Sequence, residues 1–290
     1  MSAEAGIALG LLSGLSFALG DVLVRAASRG LTPRANLLIS LLIGTPVAAA
    51  AAAAAREALP SPPAAALYVV AGLLNFVVGR LLFYYSIAYA GAATSSVVTS
   101  LAIPLASIFA WALLGEVPGR GEVLGLASVT AAAVLASVRV SGEPFGNGSP
   151  RLGVLAGLSA AAVFALTSPT VRAASYMGGA PLWGMSISYA SATPFAAVLG
   201  WRELVTGGRG REAWVMAAAA ASTAVAQMLR YSALSLARVA TVVVAIGLFP
   251  VHTVTLSALL LRGRGERLGV NHAAAAVLAV AGIAATALMR

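Results

Sequence analysis

The sequence predicts an all-α integral membrane protein: ten transmembrane helices arranged as two inverted five-helix repeats. Three observations predict it. Of 290 residues, 60% are hydrophobic and only 9% charged, with a mean hydropathy of +0.94, whereas soluble domains carry roughly 25% charged residues. Apolar runs of about 20 residues follow one another with short polar punctuation, the pattern of bilayer-crossing helices. The third is a duplication. Phe17-Ala-Leu-Gly-Asp-Val-Leu-Val-Arg-Ala-Ala-Ser28 returns 147 positions later as Phe164-Ala-Leu-Thr-Ser-Pro-Thr-Val-Arg-Ala-Ala-Ser175, with eight of twelve positions identical. Extended upstream over Gly6–Ser28, the match gives eleven identities in 23 positions, glycines, Phe, Arg and Ser among them.

Taken in order, the expected spans are residues 6–25, 36–55, 64–87, 92–114, 121–139, 152–172, 181–201, 213–235, 239–261 and 269–288. The first lacks a basic leader at Met1-Ser-Ala-Glu4, so it reads as a retained span. Gly6, Gly10 and Gly14 lie four apart on one face of span one, and Gly153 and Gly157 repeat this on span six. Small residues at that spacing let helix backbones approach closely in lipid. Proline and glycine clusters punctuate the gaps at Pro60-Ser-Pro-Pro63, Gly115-Glu-Val-Pro-Gly119 and Gly207-Gly-Arg-Gly210. The segment 141–151 reads as a linker between a first repeat, residues 1–140, and a second, residues 152–290.

Spans four and nine carry a second echo. Tyr85–Leu114 aligns with Tyr231–Leu260 at an offset of 146, matching Pro104 to Pro250. A proline deep in a span frees a backbone carbonyl, tolerable only against protein or a wet cavity. Two at equivalent positions point to a shared bend, serving either as a packing kink or as cavity lining. Because each copy holds five spans, the second must enter the membrane with opposite polarity. Inverted repeats of this kind build many secondary transporters, with the substrate site near the midplane between them.

The pattern resembles the drug/metabolite transporter superfamily in its ten-span EamA-like form, over essentially the whole chain. The residues that carry it are the end of span one leading to Arg25, Tyr84-Tyr-Ser-Ile-Ala-Tyr-Ala90, Pro104, and Leu114-Gly-Glu116. In the second copy Tyr231-Ser-Ala-Leu234, Pro250 and Gly265-Glu-Arg267 take those parts. Leu19-Gly20-Asp21 replaces the family's usual Trp-Gly in span one. The resemblance implies a carrier of small metabolites such as amino acids, multi-pass in the plasma membrane, with a monomer plausible. It also implies a cytoplasmic N-terminus. That orientation puts ten arginines in outer segments (29, 34, 139, 151, 202, 209, 211, 262, 264, 267) against four inside (56, 120, 238, 290), opposing the positive-inside rule.

Ionisable groups at membrane depth are costly and mark function. Asp21, the sole aspartate, can pair with Arg25 four residues on or with Arg80 across helices. The counterpart of Asp21 is Ser168, leaving Arg230 with Gln227 nearby and no acid. Arg230 therefore either snorkels from the end of span eight or awaits an anionic ligand. Arg80, Tyr84, Gln227, Arg230 and Tyr231 are the candidate substrate residues; Asp21, Arg25, Arg172 and His252 are candidates for coupling or gating. His252 is either a proton carrier or a helix–helix hydrogen-bond donor. Tyr85 and Tyr89 are further candidates for lining the cavity.

Other functions are disfavoured. No lysine occurs, so no Walker A loop exists, and neither HExxH nor GxSxG appears. No enzyme activity, metal or cofactor is expected. The net charge of +9 comes from 18 arginines that mostly flank apolar runs, so it reads as headgroup anchoring and no nucleic-acid partner is expected. The partners expected are the bilayer and a small-molecule substrate. A channel, a scaffold bundle, or a carrier of cationic or hydrophobic compounds are the alternatives.

Overall fold

The computed structural model describes residues 2–137, 149–207, 210–260 and 270–289, and these contain helices and no strand. In order they are α1 (Ser2–Ala27), α2 (Pro33–Ala55), α3 (Pro62–Gly72), a π-helical segment (Leu73–Gly79), α4 (Arg80–Ala90), α5 (Ala92–Thr99), α6 (Ala102–Leu114) and α7 (Arg120–Ser137). The second half holds α8 (Pro150–Tyr176), α9 (Pro181–Gly207), α10 (Arg211–Leu236), α11 (Val239–Ile246), α12 (Phe249–Leu260) and α13 (Val270–Leu288). The expected linker falls mostly outside the described residues, as does the Gly265-Glu266 pair.

Starts and stops follow local chemistry. Thr32 accepts the Ala35 N–H at 3.2 Å ahead of Pro33, and Ser61 accepts from Ala64 at 3.3 Å ahead of Pro62. Each pair joins an N-cap oxygen to a proline whose missing N–H costs nothing at N1. Among the described residues six stretches are long and apolar enough to cross a membrane: Ala3–Ala27, Pro33–Ala55, Pro62–Ala90, Thr94–Leu114, Pro150–Tyr176 and Val239–Leu260. This is fewer than the ten expected, and composition explains part of the difference. Helix α10 carries Thr223, Gln227 and Arg230 on its buried side.

Span four is broken between Thr99 and Ala102, and span nine between Ile246 and Phe249. Each break precedes a proline, because the ring of Pro104 or Pro250 crowds the carbonyl four residues earlier and donates no hydrogen bond. Tighter turns take over there, with Leu101 N–H on the Val98 carbonyl at 3.3 Å and Gly247 N–H on that of Val244 at 3.0 Å.

Helices α1 and α10 pack together, as do α2 with α9 and α7 with α13, and α8 lies against α3, α4 and α6. The glycine faces make the closest approaches. A Cβ at Gly6 would lie 2.6 Å from the Ala237 Cβ, one at Gly10 2.6 Å from that of Ala245, and one at Gly153 2.8 Å from that of Ala90. Overpacking of this kind costs about 1–3 kcal/mol. Gly10→Ala is expected to lower the melting temperature in detergent, and Gly10→Ala with Ala245→Gly to restore most of it. Equal melting of wild type and single variant would show that the approach is not tight.

Candidate functional site

Between the halves lies a cavity of about 140 Å³. Its wall is drawn from six of the expected spans. Helix α1 supplies Phe17 and Asp21, one turn apart, and α8 supplies their counterparts Phe164 and Ser168. Span three gives Asn75, Arg80, Phe83 and Tyr84; α10 gives Thr223, Gln227 and Arg230. The broken spans contribute the residues around their breaks: Thr99, Ala102 and Ile103 from one, Val243, Ile246 and Phe249 from the other. The lining is mostly apolar, with aromatic contact between Phe83 and Phe164 at 6.0 Å. A few convergent polar groups in such a wall are the usual form of a small-molecule site.

Arg80 and Arg230 are both buried and line this cavity. Arg80 is held by neutral groups: it donates to Ser40 Oγ at 3.4 Å and Tyr189 Oη at 3.2 Å, and its guanidinium lies 4.4 Å from the Phe76 ring centre. Arg230 donates to Ser168 Oγ at 2.9 Å and Gln227 Oε1 at 3.3 Å. Among the described residues no ion pair joins Asp21 to Arg80, or any carboxylate to Arg230. One carboxylate and two guanidiniums therefore line the same space, a formal balance of +1. Guanidinium stays charged under all accessible conditions.

Other candidates lie elsewhere. Tyr231 does not line the cavity; it is buried, donates to Ser188 Oγ at 3.0 Å and stacks over Tyr68 at 6.1 Å. The reason is a register difference, since Tyr231 follows Arg230 directly and so points about 100° away around α10. Tyr85 and Tyr89 pack on each other at 5.7 Å, and of the tyrosines considered only Tyr84 reaches the lining. His252 is not in the lining, and among the described residues its Nδ1 has no hydrogen-bond partner. Pro104 and Pro250 shape the wall through the breaks they cause without touching the cavity.

Arg25 and Arg172 sit at the ends of α1 and α8 in equivalent surroundings. Arg25 donates to the carbonyls of Ile87 and Ala88 at 2.9 and 3.2 Å; Arg172 donates to those of Leu234 and Ser235 at 2.9 and 3.1 Å. Every one of these positions is related by the same offset of 147. Cations at helix C-termini complement the terminal carbonyls. Arg172 is also paired with Glu116, Nε to Oε1 at 3.0 Å. That carboxylate accepts from Tyr176 Oη at 2.6 Å and from the Val239 N–H at 2.8 Å, capping α11. Glu116 thus ties the turn after α6 to two helices of the other half, α8 and α11. The sequence marked it as a motif residue without assigning it this task, since its partners lie 56 and 123 positions away.

Two features escaped sequence reading altogether. Asn75 enters the cavity wall because of the π-helical segment, and Thr223 enters beside Gln227.

Comparison with known proteins agrees with this architecture. The profile of the EamA-like transporter family matches residues 4–138 and again 151–288. A crystal structure of a protein 20% identical to this chain superposes with a TM-score of 0.75, covering 98% of this chain and 99% of that one; at that identity it shows the fold. No curated protein sequence matches the chain. With both halves matched by the profile and membrane-length apolar helices in each, the chain is a multi-pass membrane protein and belongs to the EamA-like transporter family.

Proposed function

We propose that the chain is a secondary carrier in the plasma membrane, ten spans in two inverted five-helix repeats, moving a small anionic or zwitterionic metabolite such as an amino acid by alternating access. The inversion is supported by which helix ends meet. The start of α8 at Gly153 lies against Ala90, the end of span three, and the end of α1 at Arg25 bonds to that same terminus through Ile87 and Ala88. The start of α1 at Gly6 lies against Ala237, beside the carbonyls that receive Arg172 from the end of α8. So α8 begins where α1 ends, and Arg25 and Arg172 lie toward opposite faces.

The observation that carries the substrate reading is Arg230: a buried guanidinium lining the cavity and bonded, among the described residues, only to Ser168 and Gln227. A carboxylate on the substrate supplies what the protein omits, with charge-assisted and geometrically bidentate contacts. The cavity volume of about 140 Å³ compares with the roughly 150 Å³ that admits a benzene ring and falls short of drug-sized pockets at about 300–1,000 Å³. That favours amino-acid-sized cargo. The test is binding of free L-amino acids and their C-terminal amides to the purified chain. Free acids should bind and the amides should not; equal binding of the two forms would refute the anchor.

Asp21 is the one carboxylate in the lining and so the group there able to exchange a proton with the substrate cycle. In proteoliposomes, Asp21→Asn should keep amino-acid exchange at equal pH on both sides while losing accumulation driven by a pH gradient. Retained gradient-driven accumulation would remove Asp21 from coupling.

A further inference from the structure

Span three departs from the α-helix over seven residues, Leu73–Gly79, in a π-helical segment. Such segments are rare, and they recur at functional positions because they shift the register of everything on one side. Here the shift has a definite result. Asn75 and Arg80 are five residues apart, which on an α-helix would set them about 140° apart around the axis, on different faces. The π turn stacks them instead: the Arg80 N–H donates to the Asn75 carbonyl, a bond between residues five apart, and both residues line the cavity. Phe83 and Tyr84, three and four residues beyond Arg80, continue the same face on regular α-helix.

Glycines flank the departure. A Cβ on Gly72 would meet the Ser188 carbonyl oxygen at 2.3 Å, and one on Gly79 would meet the Phe164 ring at 2.5 Å. The segment is thus closely packed against α8 and α9, with little room for it to relax to an ordinary turn.

What the π turn delivers to the cavity is an unused amide. Asn75 is 2% exposed, and among the described residues its Nδ2 has no hydrogen-bond partner. A buried polar group left unsatisfied at membrane depth is costly. Neither arginine in the wall can take up this donor, because a guanidinium carries donors and no acceptor, and both spend theirs on other groups: Arg80 on Ser40 and Tyr189, Arg230 on Ser168 and Gln227.

Resting on the carrier reading above, we propose that Asn75 is a specificity-determining residue: its Nδ2 donates to a hydrogen-bond acceptor on the substrate other than the carboxylate held by Arg230. The cargo is then a small amino acid or related metabolite with a polar side chain, a carbonyl or hydroxyl being the matching groups, and aliphatic analogues are rejected. Rejection follows because an aliphatic group in that place leaves the amide unpaired, a strong form of discrimination at buried sites.

L-asparagine and L-leucine are near-isosteric and make the cleanest probes. Binding of each to the purified full-length protein is measured by calorimetry for wild type, Asn75→Leu and Asn75→Ala, with L-asparagine amidated at its α-carboxyl as the third ligand. The wild type should bind asparagine at least tenfold more tightly than leucine. Asn75→Leu should bring that ratio to one or below while still rejecting the amidated form. If Asn75→Leu does not fold, Asn75→Ala, which adds no bulk, should show the same loss of preference. Equal binding of asparagine and leucine by the wild type, or an unchanged preference in a folded variant, overturns the role of Asn75. Those results leave Arg230 standing so long as the amidated ligand is still refused; wild-type binding of the amidated ligand equal to that of free asparagine overturns the carboxylate anchor at Arg230 on which the proposal rests.

Discussion

Replacing Arg230 by Gln is expected to weaken binding of an amino-acid substrate by roughly 10- to 150-fold, the equivalent of about 1.5–3 kcal/mol for a hydrogen bond to a charged group. The physical reason is the asymmetry of the cavity. Two guanidiniums share it with one carboxylate, and Arg230 itself holds only a hydroxyl and an amide oxygen. Removing it takes the formal balance of the wall from +1 to zero and deletes a planar pair of donors. Arg230→Lys keeps the charge and loses the fork, so a smaller loss is expected, with transport retained. Titration calorimetry on the three proteins orders them wild type, Lys, Gln. A Gln variant as tight as wild type would leave the guanidinium without a part in recognition.

The second large effect concerns stability. Arg172→Ala strips the carboxylate of Glu116 of its charge partner while burial is retained, the two side chains being 12% and 7% exposed. Breaking one side of such a pair costs about 3–5 kcal/mol, far more than the intact pair contributes relative to apolar residues. It also frees the carbonyls of Leu234 and Ser235 at the end of α10. A pronounced drop in melting temperature in detergent is expected, with Glu116→Gln milder because it leaves no unpaired buried carboxylate and its one amide oxygen still accepts at one of the two positions. A melting curve for Arg172→Ala that overlays wild type would mean the clasp contributes nothing to folding.

Much of this was legible in the sequence. The repeat at 147 gave the equivalence of Arg25 and Arg172 before any contact was visible, and their carbonyl partners obey the same offset. Matched prolines located both breaks, since the clash of a proline ring with an earlier carbonyl is a local effect. The asymmetric pair Asp21 and Ser168 could be read because substitution within a repeat is itself visible. The missed features share a different character. Asn75 was invisible because assuming 100° per residue from Arg80 turns it away from the cavity, and nothing local announces a π turn. Tyr231 does not line the cavity, and the alignment at offset 146 agrees with that outcome: it pairs Tyr231 with Tyr85, which is also outside the lining, and pairs the cavity-lining Arg230 with Tyr84. Glu116 required knowing that the turn after α6 meets the start of α11, a contact between halves that no spacing encodes.

The most direct test of the account is counterflow in proteoliposomes. Vesicles holding the purified chain are loaded with excess unlabelled L-asparagine and diluted into trace labelled L-asparagine. Wild type should accumulate the label transiently, excess unlabelled free acid outside should abolish accumulation, the amidated analogue should not, and Arg230→Gln should accumulate little. Label that merely equilibrates without overshoot would identify a pore, and competition by the amidated analogue equal to that of the free acid would contradict the cationic anchor.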